Sequence, residues 1–208
     1  MKKIAEALLT TGSVKLQVEN HFTFVSGIKS PIYCDNRKLL GYVERDWVIE
    51  GYLKELEGLN FDVVVGTATA GIPWASFIAD RVKKPLSYVR SKPKEYGAGN
   101  QIEGADVKDK SVILIEDLIS TGGSSIKAAE ALLEAGAKEV VVMAIFTYEF
   151  EEATVKFKQA GLKYTALSNF STLIALAKES GYISNSEYEL AKSWNSAPKA
   201  WKNEGKNN

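Results

Sequence analysis

Residues 112–125 read VILIEDLISTGGSS. Val112 to Ile115 is a short, β-branched apolar run, the composition of a strand buried on both faces of a parallel sheet. Two carboxylates, Glu116 and Asp117, stand where that strand is expected to end. Leu118 and Ile119 follow, and then Ser120-Thr121-Gly122-Gly123-Ser124-Ser125, small and hydroxyl-rich, opens into the helical pattern IKAAEALLEAGA. Such a loop presents N–H groups and hydroxyls at a helix N-terminus, where the macrodipole favours an anion. The acids must serve something else, because they repel phosphate. Carboxylates beside a phosphate cradle suit a ligand with both a phosphate and vicinal hydroxyls, which describes a phosphorylated sugar. Helix capping alone would explain an Asp or Ser here. The order apolar strand, two acids, two apolar residues and Ser-Thr-Gly-Gly-Ser is more restrictive. It has neither the lysine of a nucleoside-triphosphate P-loop nor the spacing of a dinucleotide fingerprint.

Outward from this stretch, strand and helix patterns alternate. Residues 61–66 (FDVVVG) read as a strand, and Gly71 to Val82 as a helix with Pro73 in its first turn. Pro85 to Val89 is a short strand, Ser111 to Glu116 the motif strand, and Ser124 to Ala135 a helix closed by Gly136. Glu139 to Phe146 is another buried strand, Glu152 to Ala160 a helix ended by Gly161, and Lys163 to Leu167 a short last strand. This α/β alternation predicts a central parallel sheet covered by helices on both faces, with ligands beyond the carboxyl ends of its strands. The first 50 and last 40 residues do not follow the alternation and are expected to pack together as a cap.

Two further loops fall at the same end of such a sheet. Residues 66–73, GTATAGIP, form a small-residue turn after a buried strand whose N–H groups suit a second anion; an ordinary strand-to-helix turn would have the same composition. Residues 90–101, RSKPKEYGAGNQ, are basic, glycine-containing and without apolar periodicity, the profile of a lid over a site. A solvated basic surface loop would have the same composition; beside the other two loops, Arg90 and Lys94 are suited to neutralising an anion.

Composition narrows the classes. The 208 residues suit one domain, and 26 basic against 26 acidic residues leave no net charge to attract nucleic acid. A single cysteine, Cys34, excludes an intrachain disulfide and agrees with a cytoplasmic location. The opening MKKIAEALLTTG is interrupted by Glu6 and reads as an amphipathic helix rather than a leader peptide. No run is long enough to span a membrane. His21 is the sole histidine, so a Ser-His-Asp triad or a multi-histidine metal site lacks material. Trp47, Trp74, Trp194 and Trp201 are expected in the core or at interfaces, and the chain is expected to fray beyond Trp201.

The motif at 112–125 resembles the 5-phosphoribosyl 1-diphosphate (PRPP) motif of type I phosphoribosyltransferases. Residues 22–37, FTFVSGIKSPIYCDNR, look like the signature of the orotate phosphoribosyltransferases, where this segment builds a hood over the pyrimidine. GTATAGIP, YVRSKPKEYG and QIEG (Gln101 to Gly104) occur in that family's order, so the resemblance spans most of residues 20–150. It implies the type I phosphoribosyltransferase fold over a single domain, with a core at about 50–168 and a hood from 1–49 and 169–208. It also implies Mg²⁺-dependent transfer of phosphoribosyl from PRPP to orotate, giving orotidine 5′-phosphate and diphosphate on the route to UMP.

By the same resemblance Glu116 and Asp117 would hold the ribose hydroxyls. Ser120, Thr121, Gly122, Gly123 and Ser124 would cradle the 5-phosphate, Leu118 and Ile119 would belong to the same PRPP-binding stretch, and Ser120 and Tyr33 would touch orotate. Arg90, Lys94 and Tyr96 would contact the diphosphate across a homodimer with shared sites, Lys94 acting with the acids in catalysis. No metal site built from the protein alone is implied, since Mg²⁺ would be held by phosphate and ribose oxygens. Three positions depart from familiar patterns. Tyr96 stands where members usually have His, Val25 and Ala70 where some have Lys, and Tyr148-Glu149-Phe150 where some have an orotate-binding Arg. Two alternatives share the fold: a purine phosphoribosyltransferase, disfavoured by the GIKSPIY segment, and a PRPP-sensing regulator that binds nucleic acid, disfavoured by the full lid and the lack of a basic surface.

Overall fold

The apolar runs around residue 112 become the middle of a six-stranded sheet. The structure, a computed structural model, describes residues 1–18, 21–23, 29–92 and 101–201. In chain order, α1 (Lys2–Thr10) leads to β1 (Val14–Leu16), β2 (Phe22–Thr23), β3 (Lys29–Ser30) and β4 (Ile32–Cys34), and a 3-10 turn at Asn36–Gly41 precedes α2 (Arg45–Leu56). The alternating part follows: β5 (Val63–Thr67), α3 (Gly71–Val82), β6 (Leu86–Val89), β7 (Ile102–Gly104), β8 (Ser111–Ile119), α4 (Gly123–Glu134), β9 (Glu139–Thr147), α5 (Glu151–Gln159) and β10 (Lys163–Asn169). Two helices close the described chain, α6 (Phe170–Glu179) and α7 (Asn185–Ser196).

The sheet order is β10-β9-β8-β5-β6-β7, parallel except for β7. Its two faces bury different partners, as strand alternation requires. Val64, Ile113, Ile115, Met143 and Ile145 face a cluster that includes Leu8, Tyr52, Trp74, Phe170 and Trp194. Val63, Val65, Val112, Leu114 and Val142 face Ile126, Ala129, Leu132 and Phe157 of α4 and α5. Trp74 and Trp194 are fully buried. Loss of such an aromatic costs roughly 3–5 kcal/mol.

The terminal segments meet on the first face. In α1 the buried Ile4 and Leu8 recur four apart, and the helix packs on α6. The Trp194 indole N–H donates to the Lys29 carbonyl at 3.0 Å, joining α7 to the β2–β3 hairpin. Asn169 caps α6 by accepting the Thr172 N–H, and Ser184 with Glu187 forms a full capping box on α7. Among the described residues no helix is long and apolar enough to cross a membrane.

Three expectations need correction. The motif strand does not end at Glu116. It runs to Ile119, because β9 continues alongside as far as the pair Ile119↔Thr147. The sheet is not wholly parallel, since residues 102–104 form an antiparallel edge strand on Ser87–Val89, too short for periodicity to reveal. The last strand extends to Asn169, paired with Thr147. Other boundaries differ by a residue or two, the usual fraying of element ends.

Candidate active site

Strands 5, 6 and 7 lie to one side of the β5/β8 boundary, and strands 8, 9 and 10 to the other. Connections therefore leave in opposite directions there, and the crevice at the carboxyl ends of β5 and β8 is the topological switch point where such sheets bind ligands. GTATAGIP and the Glu116–Ser125 stretch both open onto it. Their close approach demands glycine. A Cβ on Gly71 would run into the Ile115 carbonyl oxygen, and one on Gly66 would come within 2.8 Å of Ile72 Cα.

The β5–β8 ladder stops at Gly66↔Ile115, four residues before β8 itself ends. Beyond that point β8 has no strand neighbour on the β5 side among the described residues, and side chains take up its carbonyls. The Tyr52 hydroxyl donates to the Glu116 carbonyl at 3.0 Å. The Asn36 amide donates to the Asp117 carbonyl at 2.6 Å. The overhang thus carries the two acids into the crevice on a braced strand.

The acids are turned to different partners. Glu116 is buried against α4: Oε2 accepts from the Ser125 hydroxyl at 3.1 Å and from Ser124 at 3.4 Å, and Oε1 accepts the Asp117 N–H at 3.1 Å. Burial, and then the charge of Asp117, pushes its carboxyl up to about 8. Asp117 sits toward the N-terminal segment. Its carboxyl is also raised by burial, against the pull of its hydrogen bond to Glu116 and of the Arg37 guanidinium. Arg37 is itself engaged, its Nε donating to Asp35 at 2.7 Å.

The loop after the acids is built for an anion. Gly122 holds φ +79° at the N-cap of α4, where an added Cβ would lie 2.8 Å from the Phe157 ring. No side chain caps α4, and its first turn contains no acid. Ser120 and Thr121, half-buried, share with Phe150, Trp194, Asn195 and Lys199 a cavity of about 440 Å³. In the neighbouring turn the Thr67 hydroxyl is buried and has no partner among the described residues.

The other expected site residues are placed as follows. Leu118 and Ile119 are strand residues packed in the two cores, Leu118 half-buried and Ile119 fully buried. Tyr33 is exposed and leans on Phe22, ring centroids 5.6 Å apart. Arg90 directly follows β6, where its N–H donates to the Gln101 carbonyl and its guanidinium lies 3.7 Å from Glu103. Residues 90 and 101 thus bracket the basic loop, but Lys94 and Tyr96 lie outside the described residues, as does Val25. The sequence singled out neither Asn36 nor Tyr52. Asn36 lies inside the quoted 22–37 segment, and Tyr52 is marked only by the apolar spacing of Val48, Tyr52 and Leu56 along α2.

Comparisons with known proteins agree with this geometry. Residues 47–163 match the family model of the phosphoribosyl transferase domain. The chain is 48% identical over 203 residues to the orotate phosphoribosyltransferase of Lactococcus lactis subsp. cremoris, covering 96% of this chain and 97% of that protein. It is 50% identical over 196 residues to the orotate phosphoribosyltransferase of Staphylococcus saprophyticus, covering 93% and 97%. Among solved structures, Leishmania donovani UMP synthase superposes with a TM-score of 0.78 at 30% identity, over 93% of this chain and 41% of that longer one. With close likeness running along nearly its whole length, the chain belongs to the orotate phosphoribosyltransferase family.

Proposed function

We propose that this chain transfers the phosphoribosyl group of PRPP to orotate, forming orotidine 5′-phosphate and diphosphate in pyrimidine biosynthesis. The observation that carries the sugar-phosphate half is the overhang of β8, which carries Glu116 and Asp117 past β5, Glu116 bonding Ser124 and Ser125 in the first turn of α4, a helix entered through Gly122 with no side-chain cap. The α4 terminus and the Ser120–Ser124 loop take the 5-phosphate. Asp117 takes ribose hydroxyls directly; Glu116 reaches them only by giving up a serine partner. The second turn, with the Thr67 hydroxyl in it, takes the diphosphate, aided by Arg90, Lys94 and Tyr96. Orotate meets Ser120, beside the aromatic cavity, and Tyr33. The choice of orotate over a purine rests on family membership.

Orotate already carries the attacking nitrogen, so no protein nucleophile is required. Catalysis comes from positioning, from charge stabilisation of the leaving diphosphate, and from exclusion of water. Among the described residues no group of three or more His, Cys, Asp or Glu is placed to hold a metal. Asp117 and Glu116 beside a phosphate site would suit Mg²⁺, a hard cation that takes oxygen donors. When bound, the ion neutralises diphosphate oxygens. A homodimer whose lids close over each other's sites and a cytoplasmic location complete the proposal.

The test is release of diphosphate from PRPP and Mg²⁺ with orotate, adenine or hypoxanthine. Turnover is expected with orotate alone and is expected to stop when a chelator removes Mg²⁺. Asp117→Asn should lower kcat/KM by roughly ten- to a hundredfold, the worth of a charge-assisted hydrogen bond. An Asp117→Asn variant with unchanged kinetics would sink the ribose assignment.

A further inference from the structure

We propose that Asn36 is a positioning residue for this transfer: from the N-terminal segment it fixes the main chain of Asp117, and with it the direction of the carboxylate, an inference that rests on the ribose contact proposed above. Asn36 is 1% exposed, and 81 positions separate it from the carbonyl it binds. That carbonyl lies past the last β5–β8 pair, so no strand competes for it. The amide is oriented from its other side, where Oδ1 accepts from the Cys34 thiol at 3.2 Å. Burial and the charges of Asp117 and Asp35 push that thiol's pKa up, so it stays a donor and Nδ2 must face Asp117. A buried amide is costly unless bonded, and an apolar residue would fill the same space. Both hydrogen bonds of its side chain serve the acid-bearing strand, one directly and one by orienting the amide. Tyr52 does the same for Glu116, but its ring is also core.

Displacement of a positioned group by about 1 Å costs on the order of a hundredfold in rate. Asn36→Asp keeps the shape, still accepts from Cys34 and cannot donate to Asp117. Purified Asn36→Asp and Asn36→Ala should fold, with kcat/KM for PRPP lowered at least about tenfold. The ionisable groups around the site are Asp117 and Glu116 on β8, Cys34 at the end of β4, Asp35 and Arg37 beside Asn36, Tyr33, Tyr52 on α2, and Tyr148 after β9. Into that group Asn36→Asp adds a carboxylate, so the acid limb of its pH–rate profile should move to higher pH. Asn36→Ala should slow the enzyme without that shift. A folded Asn36→Ala with kcat/KM for PRPP within about twofold of wild type overturns the inference while the wild type remains active. A wild type that releases no diphosphate with orotate overturns the function reading and the inference together.

Discussion

Gly122 is where a single side chain decides the shape of the loop that enters α4, the proposed 5-phosphate site. Its φ of +79° costs any other residue roughly 1–2 kcal/mol, and a methyl group there meets Phe157 at 2.8 Å. Gly122→Ala should therefore lower stability by roughly 2–4 kcal/mol and weaken PRPP binding, read by thermal melts and by calorimetric titration with PRPP. A variant with wild-type melting and affinity would show that the loop tolerates a Cβ. Tyr96 offers the opposite experiment. A tyrosine donates a hydrogen bond but carries no positive charge at neutral pH, whereas histidine gains a proton near pH 6.5. Tyr96→His should keep or raise activity, most visibly below neutral pH. A His variant much slower at every pH would mean the tyrosine has a role of its own. Both glycine and acid pair are plain in the sequence. The direction in which each acid points is not, because it depends on α4 and on the 3-10 turn.

At the scale of the element, β8 outruns β5, and its acids are buried by what gathers around that overhang. For Glu116 this has a pH consequence. Its carboxyl titrates near 4.5 when unperturbed and at about 8 in the folded chain. Between those values the folded state holds a proton that the unfolded state has released, so stability falls as pH rises. The contribution is complete below the lower value and lost above the upper one. One pKa unit is worth about 1.4 kcal/mol, so a few kcal/mol are at stake. Glu116→Gln should gain stability relative to wild type from about pH 5 to pH 9, the Tm difference growing by roughly 2–4 °C for each kcal/mol gained. Parallel Tm curves at every pH would remove Glu116 as the responsible group. The strand itself was legible from Ser111 to Glu116. Its continuation through Asp117 to Ile119 was not, since Asp is a poor strand former and only pairing with β9 keeps that stretch extended.

For the whole molecule, the proposed shared site gives a quantitative expectation. Lys94→Ala and Asp117→Asn should each abolish most activity as pure homodimers. With subunit exchange, a mixed dimer contains one site with a sound lid and a sound motif, and one site defective twice. Random assortment makes half the dimers mixed, so about a quarter of all sites should recover under a symmetric two-fold interface. If native mass spectrometry shows exchange and no activity returns, the lid closes within its own chain.

The amino-acid sequence by itself determined the alternating α/β core and the small, hydroxyl-rich loop before α4, and it pointed to the sugar phosphate of the proposed reaction. Each of these depends on local chemistry: apolar β-branched runs make buried strands, and Ser-Thr-Gly-Gly-Ser makes an open helix N-terminus. Only the tertiary structure decided that β5 and β8 are neighbours across a switch point, that β8 extends past β5, and that Asn36 and Tyr52 hold the carbonyls of Asp117 and Glu116 from 81 and 64 residues away. Those contacts join segments far apart in the chain, and a hydrogen bond to a backbone carbonyl leaves no periodic mark on the residues that make it. The sequence names the groups of the site, and the packing of distant segments aims them.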